Sequence, residues 1–528
     1  MTAMPERYNA SLLLDRNLEA GRGDKVAIYC EDERVTYGDL LRRVSRLGHA
    51  LRALGLRREE RVLLVLNDTP AFPVSFFAAI RAGAVPIPVN TLLGAADYRY
   101  FVADSGAPIA VVDAQHLGKV REAVADLPEP PRLIVANGRS EGAEALDDLL
   151  AAGPDELTPA DTHRDDPAFW LYSSGSTGRP KGAVHLQHDI LYTCETYARD
   201  VLEIGEGDVT FSASKLFHAY GLGNNLSFPY WAGATAVLHP GPPAPPALLA
   251  AAARHRPTIF YAVPTLYNAI LHYLADRPDE AREAFGALRL CVSAAEALPP
   301  EIWRRWKEAT GSVILDGIGS TEMLHIFLSN TLAALRPGSS GRPVPGYDAR
   351  IVDDEGHAVP AGTAGYLQVR GDSAAAYYWR NHAKTKATML GDWMATGDWY
   401  RADDEGFYWY EGRADDMMKV GGLWVSPVEV ENALGEHPAV FEAAAIGVMV
   451  EGLARIKAVV VLRPGQEGSA ALTGELQEWC KGRLKRYQYP HIVEYAPDLP
   501  KTVTGKIQRF KLRGEGEGEV RMGQGTAR

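Results

Sequence analysis

The stretch Tyr172 to Gly182 reads Tyr-Ser-Ser-Gly-Ser-Thr-Gly-Arg-Pro-Lys-Gly. Ser173, Ser174, Ser176 and Thr177 offer hydroxyl donors suited to phosphate oxygens, and Lys181 adds a positive point charge. Gly175, Gly178 and Gly182 allow the backbone to approach a ligand closely. The chemistry such a loop supports is the cradling of a phosphate chain. It is not a Walker loop, because Lys181 is followed by Gly182, where that motif needs Ser or Thr to hold magnesium. A flexible Gly/Ser linker is the plain alternative. An embedded Pro-Lys between two apolar segments does not suit a linker.

Core elements must flank such a loop. Ala168 to Tyr172 is a short apolar run that reads as a buried strand, and Ile190, Leu191, Cys194, Tyr197, Ala198 and Val201 recur at helical spacing. Toward the N-terminus, an amphipathic helix is expected over Thr36–Leu56, with Leu40, Val44, Leu47 and Leu51 on one side, and a helix-like stretch follows over Ala71–Ala82. Apolar runs beginning at Arg61, Ala84, Ala107 and Arg132 alternate with these patterns, as parallel strands covered by helices do. A second alternation, through Val209, Thr258, a helix at Pro264–Ala275, Leu288 and a helix at Pro299–Thr310, predicts a second sheet packed on the first. Pro242 to Pro246 reads as a surface connector. From Ala349 the strand-like stretches become shorter and more polar, predicting a small antiparallel barrel or sheet. The fold class is therefore α/β, with a small α+β module at the end. The expected boundaries are a large domain over 1–411, a hinge at 412–416, a compact domain over 417–513 and a disordered tail at 514–528.

The 528 residues are too many for one core. A net charge of −12 excludes a general nucleic-acid binder. Between Cys480 and Arg513, however, nine Lys and Arg face two acids, which suits either a polyanionic small molecule or a solvated face. No apolar run approaches a membrane span and Met1–Ala10 lacks the apolar centre of a secretory signal, so a cytoplasmic protein without membrane partners is expected. The four cysteines are scattered, without CxxC, so neither a disulfide framework nor a zinc site is expected. A homodimer is left open.

The 172–182 stretch resembles the signature of the AMP-forming adenylating enzymes: acyl- and aryl-CoA ligases, luciferases and peptide-synthetase adenylation domains. Five further stretches resemble that family's motifs in the same order, so the resemblance covers nearly the whole chain. Ser293-Ala-Ala-Glu-Ala-Leu resembles the segment along the adenine, which implies Ala295 and Glu296 there. Asp316-Gly-Ile-Gly-Ser-Thr-Glu-Met resembles a Tyr-Gly-x-Thr-Glu motif. By that resemblance Gly317 and Ile318 lie beside the base, Thr321 touches phosphate, and Glu322, with Thr177, holds Mg²⁺. Ile318 stands where the family usually has an adenine-stacking Tyr, which leaves aliphatic contact and Asp316 to recognise the base. Thr396-Gly-Asp398 resembles the ribose motif, with Arg413 assisting; a carboxylate suits two vicinal hydroxyls that both donate. Asp415 takes the hinge position, and Lys419, Gly421, Gly422 and Trp424 that of the loop bordering the pantetheine channel. Lys506, in Gly-Lys-Ile, takes the place of the lysine that bridges the carboxylate and the α-phosphate.

The resemblance implies two half-reactions, with ATP, Mg²⁺ and coenzyme A as cofactors and co-substrates. A carboxylate first attacks the α-phosphorus to give acyl-AMP, and the thiol of coenzyme A then displaces AMP. His218, Ala219, Tyr220, Gly319, His325 and Ile326 would line the acid pocket, with His218 counted among the catalytic candidates. Tyr220 facing Ile326, with Ala219 and Gly319 leaving room, makes a slot for a planar ring. The whole chain looks most similar to benzoate-CoA ligases, so the expected acid is benzoate, followed by hydroxy-, amino- or methylbenzoates. Three other classes compete: an enzyme that loads a carrier protein, a luciferase-like oxidase, and a regulator that binds nucleotide without turnover.

Overall fold

The computed structural model describes residues 4–173, 179–420, 423–450, 453–485, 487–501 and 507–513. Contacts divide the chain into two units, one of residues 1–337, 341–348 and 369–394, the other of 338–340, 349–368 and the chain from 395 onward.

In the first unit a parallel sheet runs in the order Val85–Pro88, Arg61–Val65, Ile109–Asp113, Arg132–Ala136, Glu144–Ala145. These strands are near-continuous apolar runs because helices cover both faces. One such helix is Tyr37–Ala53, whose N-terminus is fixed by a reciprocal Thr36–Asp39 capping box, a device worth about 1 kcal/mol. Another is Ala71–Ala82, ended by Gly83 in the left-handed conformation. A nine-stranded sheet holds the second alternation, parallel from Ile314–Gly319 through Leu290–Ser293, Ile259–Ala262, Val209–Ser212 and Thr235–Leu238 to Val26–Cys30. An antiparallel edge follows Ile314–Gly319, formed by Ile326–Ser329 and Arg342–Pro343. Helices Pro264–Leu274 and Pro300–Thr310 pack Tyr267 and Trp306 into its core with Phe260 and Phe285.

The phosphate-loop candidate lies in a third, antiparallel sheet: Pro167–Ser173, Lys181–Leu186 and Tyr377–Tyr378. Between the loop and the helical spacing that begins at Ile190 lies a strand, Lys181–Leu186, that the sequence reading did not place. It is six residues long with a Gly and a His, too little alternation to read without its partners. The helix after it starts at Asp189 and widens into a π-helical turn over Cys194–Ala198. The proline stretch is a connector only to Ala244, because Pro245 opens a helix to His255, at the position where a missing N–H costs nothing.

The second unit contains most of the antiparallel strands Asp348–Val352, Ala364–Arg370 and Trp393–Ala402, and all of Tyr408–Arg413. It also contains a hairpin of Val440–Val450 with Leu453–Leu462, joined in parallel by Ile492–Tyr495. Helices Pro427–Gly435 and Ala470–Lys481, capped by Ser426 and Ser469, bury Val430, Leu434, Leu476 and Cys480 against that sheet. Among the described residues of the basic 480–513 segment, Lys481, Arg483, Lys501, Arg509 and Arg513 each sit in an ion pair with a carboxylate. The 514–528 tail lies outside the described residues. Among those described, no helix is long and apolar enough to cross a membrane, and all four cysteines are buried and free.

Candidate functional site

Residues 174–178, and with them Ser174, Gly175, Ser176, Thr177 and Gly178, lie outside the described residues, as do Gly421, Gly422 and Lys506. The ends of the loop are placed. Strand pairing sets Ser173 opposite Lys181 and Tyr172 opposite Gly182, so the hydroxyl and the ammonium leave neighbouring strands side by side.

Glu322 comes to the same place. Its Oε1 accepts from the Tyr378 hydroxyl at 2.7 Å and from the Ser173 hydroxyl at 3.1 Å. Lys181 Nζ lies 4.6 Å from the centre of the Tyr378 ring, a cation–π distance. Burial alone would raise the Glu322 carboxyl. The Tyr378 hydroxyl, the Lys181 charge, a backbone N–H and the Ser173 hydroxyl outweigh it, and the group is held below the ordinary carboxylate range. An ionised carboxylate with the Ser173 hydroxyl against it is a donor set that fits a hard divalent cation bound mainly through phosphates.

Thr321 is fixed through its backbone. Its carbonyl accepts from His185 Nε2 at 2.8 Å, while His185 Nδ1 pairs with Asp189 at 2.7 Å and the ring stacks on Phe169. Leu324, two residues past Glu322, has φ +65, and Ala295 has φ +78. Non-glycine residues in this region carry strain that is stored at ligand sites. Asp316 stands in register with Ser293 on the neighbouring strand and is 5% exposed. Burial pushes its carboxyl well above the usual range, and a neutral carboxyl can donate as well as accept at the edge of a base. Glu296 accepts from Thr265 at 2.6 Å. Gly317, Ile318 and Gly319 continue the Asp316 strand, pairing with Ser329, Leu328 and Ile326. A Cβ on Gly317 would meet the Leu328 carbonyl at 2.6 Å.

The acid-pocket candidates gather around a helix, Ala219–Leu222, that widens into a π-helical turn over Gly223–Ser227, a feature frequent at functional sites. Tyr220 directs its hydroxyl to the Val292 carbonyl at 3.0 Å. His325 is 2% exposed and packed among the rings of Tyr197, Tyr220 and Phe228. Its Nε2 lies 3.3 Å from the Tyr220 carbonyl, which can only accept, and 3.1 Å from Asn224 Oδ1. Nε2 is therefore the protonated nitrogen. Burial holds this imidazole down at about 3, so it is neutral. His218 packs edge-on against Phe217, and Ala219 and Ile326 are buried.

In the second unit, Asp398 and Arg413 face each other in register across Trp393–Ala402 and Tyr408–Arg413, with Arg413 Nη1 2.8 Å from Asp398 Oδ1. The Asp398 N–H donates to the Thr396 hydroxyl at 3.1 Å, and the same guanidinium donates to the Thr396 carbonyl at 3.2 Å. Trp399 meets Tyr366 edge-on at 4.7 Å and Trp424 at a tilt at 5.5 Å between ring centres. Lys419 is opposite Trp424 in a short hairpin. Asp415 is exposed in a single 3₁₀ turn, Ala414–Asp416.

The sequence reading missed Tyr378, His185 and Asn224. Each acts on a partner 56 to 136 residues away, or through a strand or helix that the reading did not place. His185 alone left a signal, an aspartate at i+4.

Two sequence families match the chain. The family described as "AMP-binding enzyme" covers residues 14–379, and "AMP-binding enzyme C-terminal domain" covers 429–506. The chain is 50% identical to the benzoate–CoA ligase of Thauera aromatica over 97% of its own length and 96% of that protein. It is 43% identical to the 4-hydroxybenzoate–CoA/benzoate–CoA ligase of Rhodopseudomonas palustris, covering 97% and 95%. Among solved structures it is similar to a benzoate CoA ligase from Burkholderia xenovorans LB400, with TM-score 0.88, 46% identity and coverage of 96% and 100%. It also resembles the anthranilate CoA ligase AuaEII in complex with anthranoyl-AMP, with TM-score 0.91, 43% identity and coverage of 97% of both chains.

Proposed function

The chain belongs to the AMP-binding enzyme family, and from that premise we propose that it is an ATP-dependent, AMP-forming aryl-CoA ligase that converts benzoate to benzoyl-CoA. The observation that carries the reading is the convergence of Tyr378 and ionised Glu322 on Ser173 and Lys181, the two strand ends that flank the hydroxyl-rich stretch, in a chain that matches benzoate–CoA ligases over nearly its whole length.

The first half-reaction is attack of a benzoate oxygen on the α-phosphorus of ATP, releasing pyrophosphate. Lys181 and the hydroxyls within 173–177 hold the phosphates, and Glu322, with Thr177, would hold Mg²⁺, which would supply charge neutralisation at the phosphates. Asp316 and the Ala295–Glu296 segment read the base, and Asp398 accepts from both ribose hydroxyls with Arg413 fixing its orientation. Lys506 stabilises the charge developing between carboxylate and phosphorus. In the second half-reaction the thiol of coenzyme A attacks the acyl carbon and AMP leaves; Lys419, Gly421, Gly422 and Trp424 border its path. The hinge is at Asp415. Ala219, Tyr220, Gly319, His325 and Ile326 border the ring of the acid. The free cysteines suit a reducing compartment, the cytoplasm.

Ring-substituted benzoates are a second reading, favoured by the likeness to ligases of 4-hydroxybenzoate and anthranilate. Pyrophosphate release with benzoate, measured first without and then with coenzyme A, tests the proposal. The expected result is a slow or single-turnover release that becomes continuous when coenzyme A is added, with benzoyl-CoA as product. No release with any benzoate would overturn it, and release without thioester would point to loading of a carrier protein.

A further inference from the structure

Two charged residues outside every phosphate and ribose motif meet at the start of the acid-pocket segment. Lys215 directly precedes Leu216–Tyr220, and Asp68 follows the strand Arg61–Val65 of the other sheet. Both are largely removed from water, with Asp68 3% exposed and the Lys215 side chain 19%. Lys215 Nζ donates to the carbonyls of His239 at 2.6 Å and Gly241 at 2.7 Å, and lies 3.8 Å from Asp68 Oδ2. The other carboxylate oxygen, Oδ1, accepts the Leu216 N–H at 3.1 Å.

The chain then turns at once. The Lys215 carbonyl accepts the His218 N–H at 3.0 Å, and the helix carrying Ala219 and Tyr220 begins. Its Gly221 is pressed so closely on the Ser214 and Lys215 carbonyls that a Cβ would collide with both. Phe217 and Ala219, downstream of the pair, are buried at 7% and 9% exposure.

Burying this pair is expensive: it takes two ions out of water, and burial pushes the Asp68 carboxyl up to about 6. An apolar pair of similar volume would join the two sheets at least as firmly. What it could not supply is direction. The ammonium fixes the 215 side chain to the 239–241 carbonyls, and the carboxylate fixes the 216 peptide, so the turn has one height and one rotation.

We propose that Asp68 and Lys215 are positioning residues for the aromatic acid: by fixing the Leu216 peptide they set where Phe217, Ala219 and Tyr220 stand, and thereby the affinity for the carboxylic substrate. The inference rests on the reading above that Ala219 and Tyr220 border the acid.

The test uses the full-length enzyme with Asp68→Asn, Lys215→Met and the double variant Asp68→Leu with Lys215→Met, which also removes the acceptor for the Leu216 N–H, and reads KM for benzoate, KM for ATP, kcat and Tm. Asn keeps an acceptor for the Leu216 N–H, and the double variant leaves no unpaired buried charge, so it serves if Lys215→Met does not fold. Lys215→Met and the double variant should raise the benzoate KM about tenfold while the ATP KM stays within about twofold. The double variant should recover Tm relative to Lys215→Met without recovering the benzoate KM. Benzoate and ATP KM rising together in step with lost Tm, or an unchanged benzoate KM in the folded double variant, would overturn the proposal. Ala219→Phe is the control. If it impairs benzoate use and the charge variants do not, the positioning role alone fails; if it has no effect either, the pocket reading fails with it.

Discussion

At Glu322, three side chains from distant parts of the chain settle one charge. The Tyr378 hydroxyl and the Ser173 hydroxyl hold Oε1, and Lys181 stands against the Tyr378 ring. Removing the Tyr378 hydroxyl as Tyr378→Phe keeps the ring under Lys181 and loses one hydrogen bond to a charged acceptor, worth about 2 kcal/mol. The expected result is a fall of roughly tenfold or more in kcat/KM for Mg·ATP with little change in the benzoate KM, measured by steady-state kinetics with each substrate varied. His325 gives a different handle. Its folded value of about 3 lies below the ordinary 6.5, so between those values the unfolded chain binds the proton and the folded chain does not. Its contribution to stability is therefore complete above pH 6.5 and is lost as pH falls toward 3, by about 2 kcal/mol between pH 7 and 5. Asp68 runs the opposite way, since a carboxyl raised to about 6 from 3.8 gains stability as pH falls through that window. Comparing the enzyme with His325→Gln by urea unfolding at pH 7 and pH 5 cancels Asp68, which both proteins share. The unsubstituted enzyme should lose about 2 kcal/mol more than the variant, and equal losses would contradict a neutral buried imidazole.

The helix Ala219–Leu222 with its π-helical extension carries the specificity argument at the scale of elements. Ala219 is the small residue at its start, and Ala219→Phe should cut kcat/KM on benzoate by roughly thirtyfold, the equivalent of about 2 kcal/mol of lost ring burial, while leaving the ATP KM nearly unchanged. A panel of acids should show palmitate as a poor substrate for the parent enzyme; equal turnover of palmitate and benzoate would contradict a ring-shaped pocket. These elements also mark how far the sequence could be read. Ala71–Ala82 was legible as a long, nearly continuous apolar run ended by Gly83, and Pro300–Thr310 because Ile302, Trp303 and Trp306 recur at helical spacing before Gly311. Asp316, Glu322 and Asp398 were singled out as candidates because each sits in a long motif. Lys181–Leu186 was not, since its partners lie on both sides of the loop and near residue 377. The Asp68–Lys215 pair was invisible too: 147 positions of chain separate residues that meet only when the two sheets fold, and neither residue type alone signals burial.

For the molecule as a whole, a net charge of −12 coexists with substrates that are all anions, so binding must rely on local groups rather than on the overall field. Among the described basic residues near the C-terminus, Arg509 pairs with Glu431 and Arg513 with Asp416, and Lys506 is the cation that the motif resemblance proposes for the chemistry. The two half-reactions should separate by mutation. Lys506→Ala should slow benzoyl-AMP formation by about a hundredfold or more, equivalent to about 3 kcal/mol, and leave benzoyl-CoA formation from synthetic benzoyl-AMP close to normal. Asp415→Pro should do the reverse, because a fixed φ hinders rotation at the hinge while adenylation survives. Equal losses in both half-reactions for Lys506→Ala would contradict the assignment. The central claim, that a benzoate oxygen attacks the α-phosphorus and that coenzyme A then displaces AMP, is tested most directly by the fate of that oxygen. Turnover of benzoate labelled with heavy oxygen in its carboxylate, with ATP and coenzyme A, should give AMP carrying one labelled oxygen and benzoyl-CoA carrying the other, both read by mass spectrometry. Unlabelled AMP, or label in pyrophosphate or inorganic phosphate, would contradict the account.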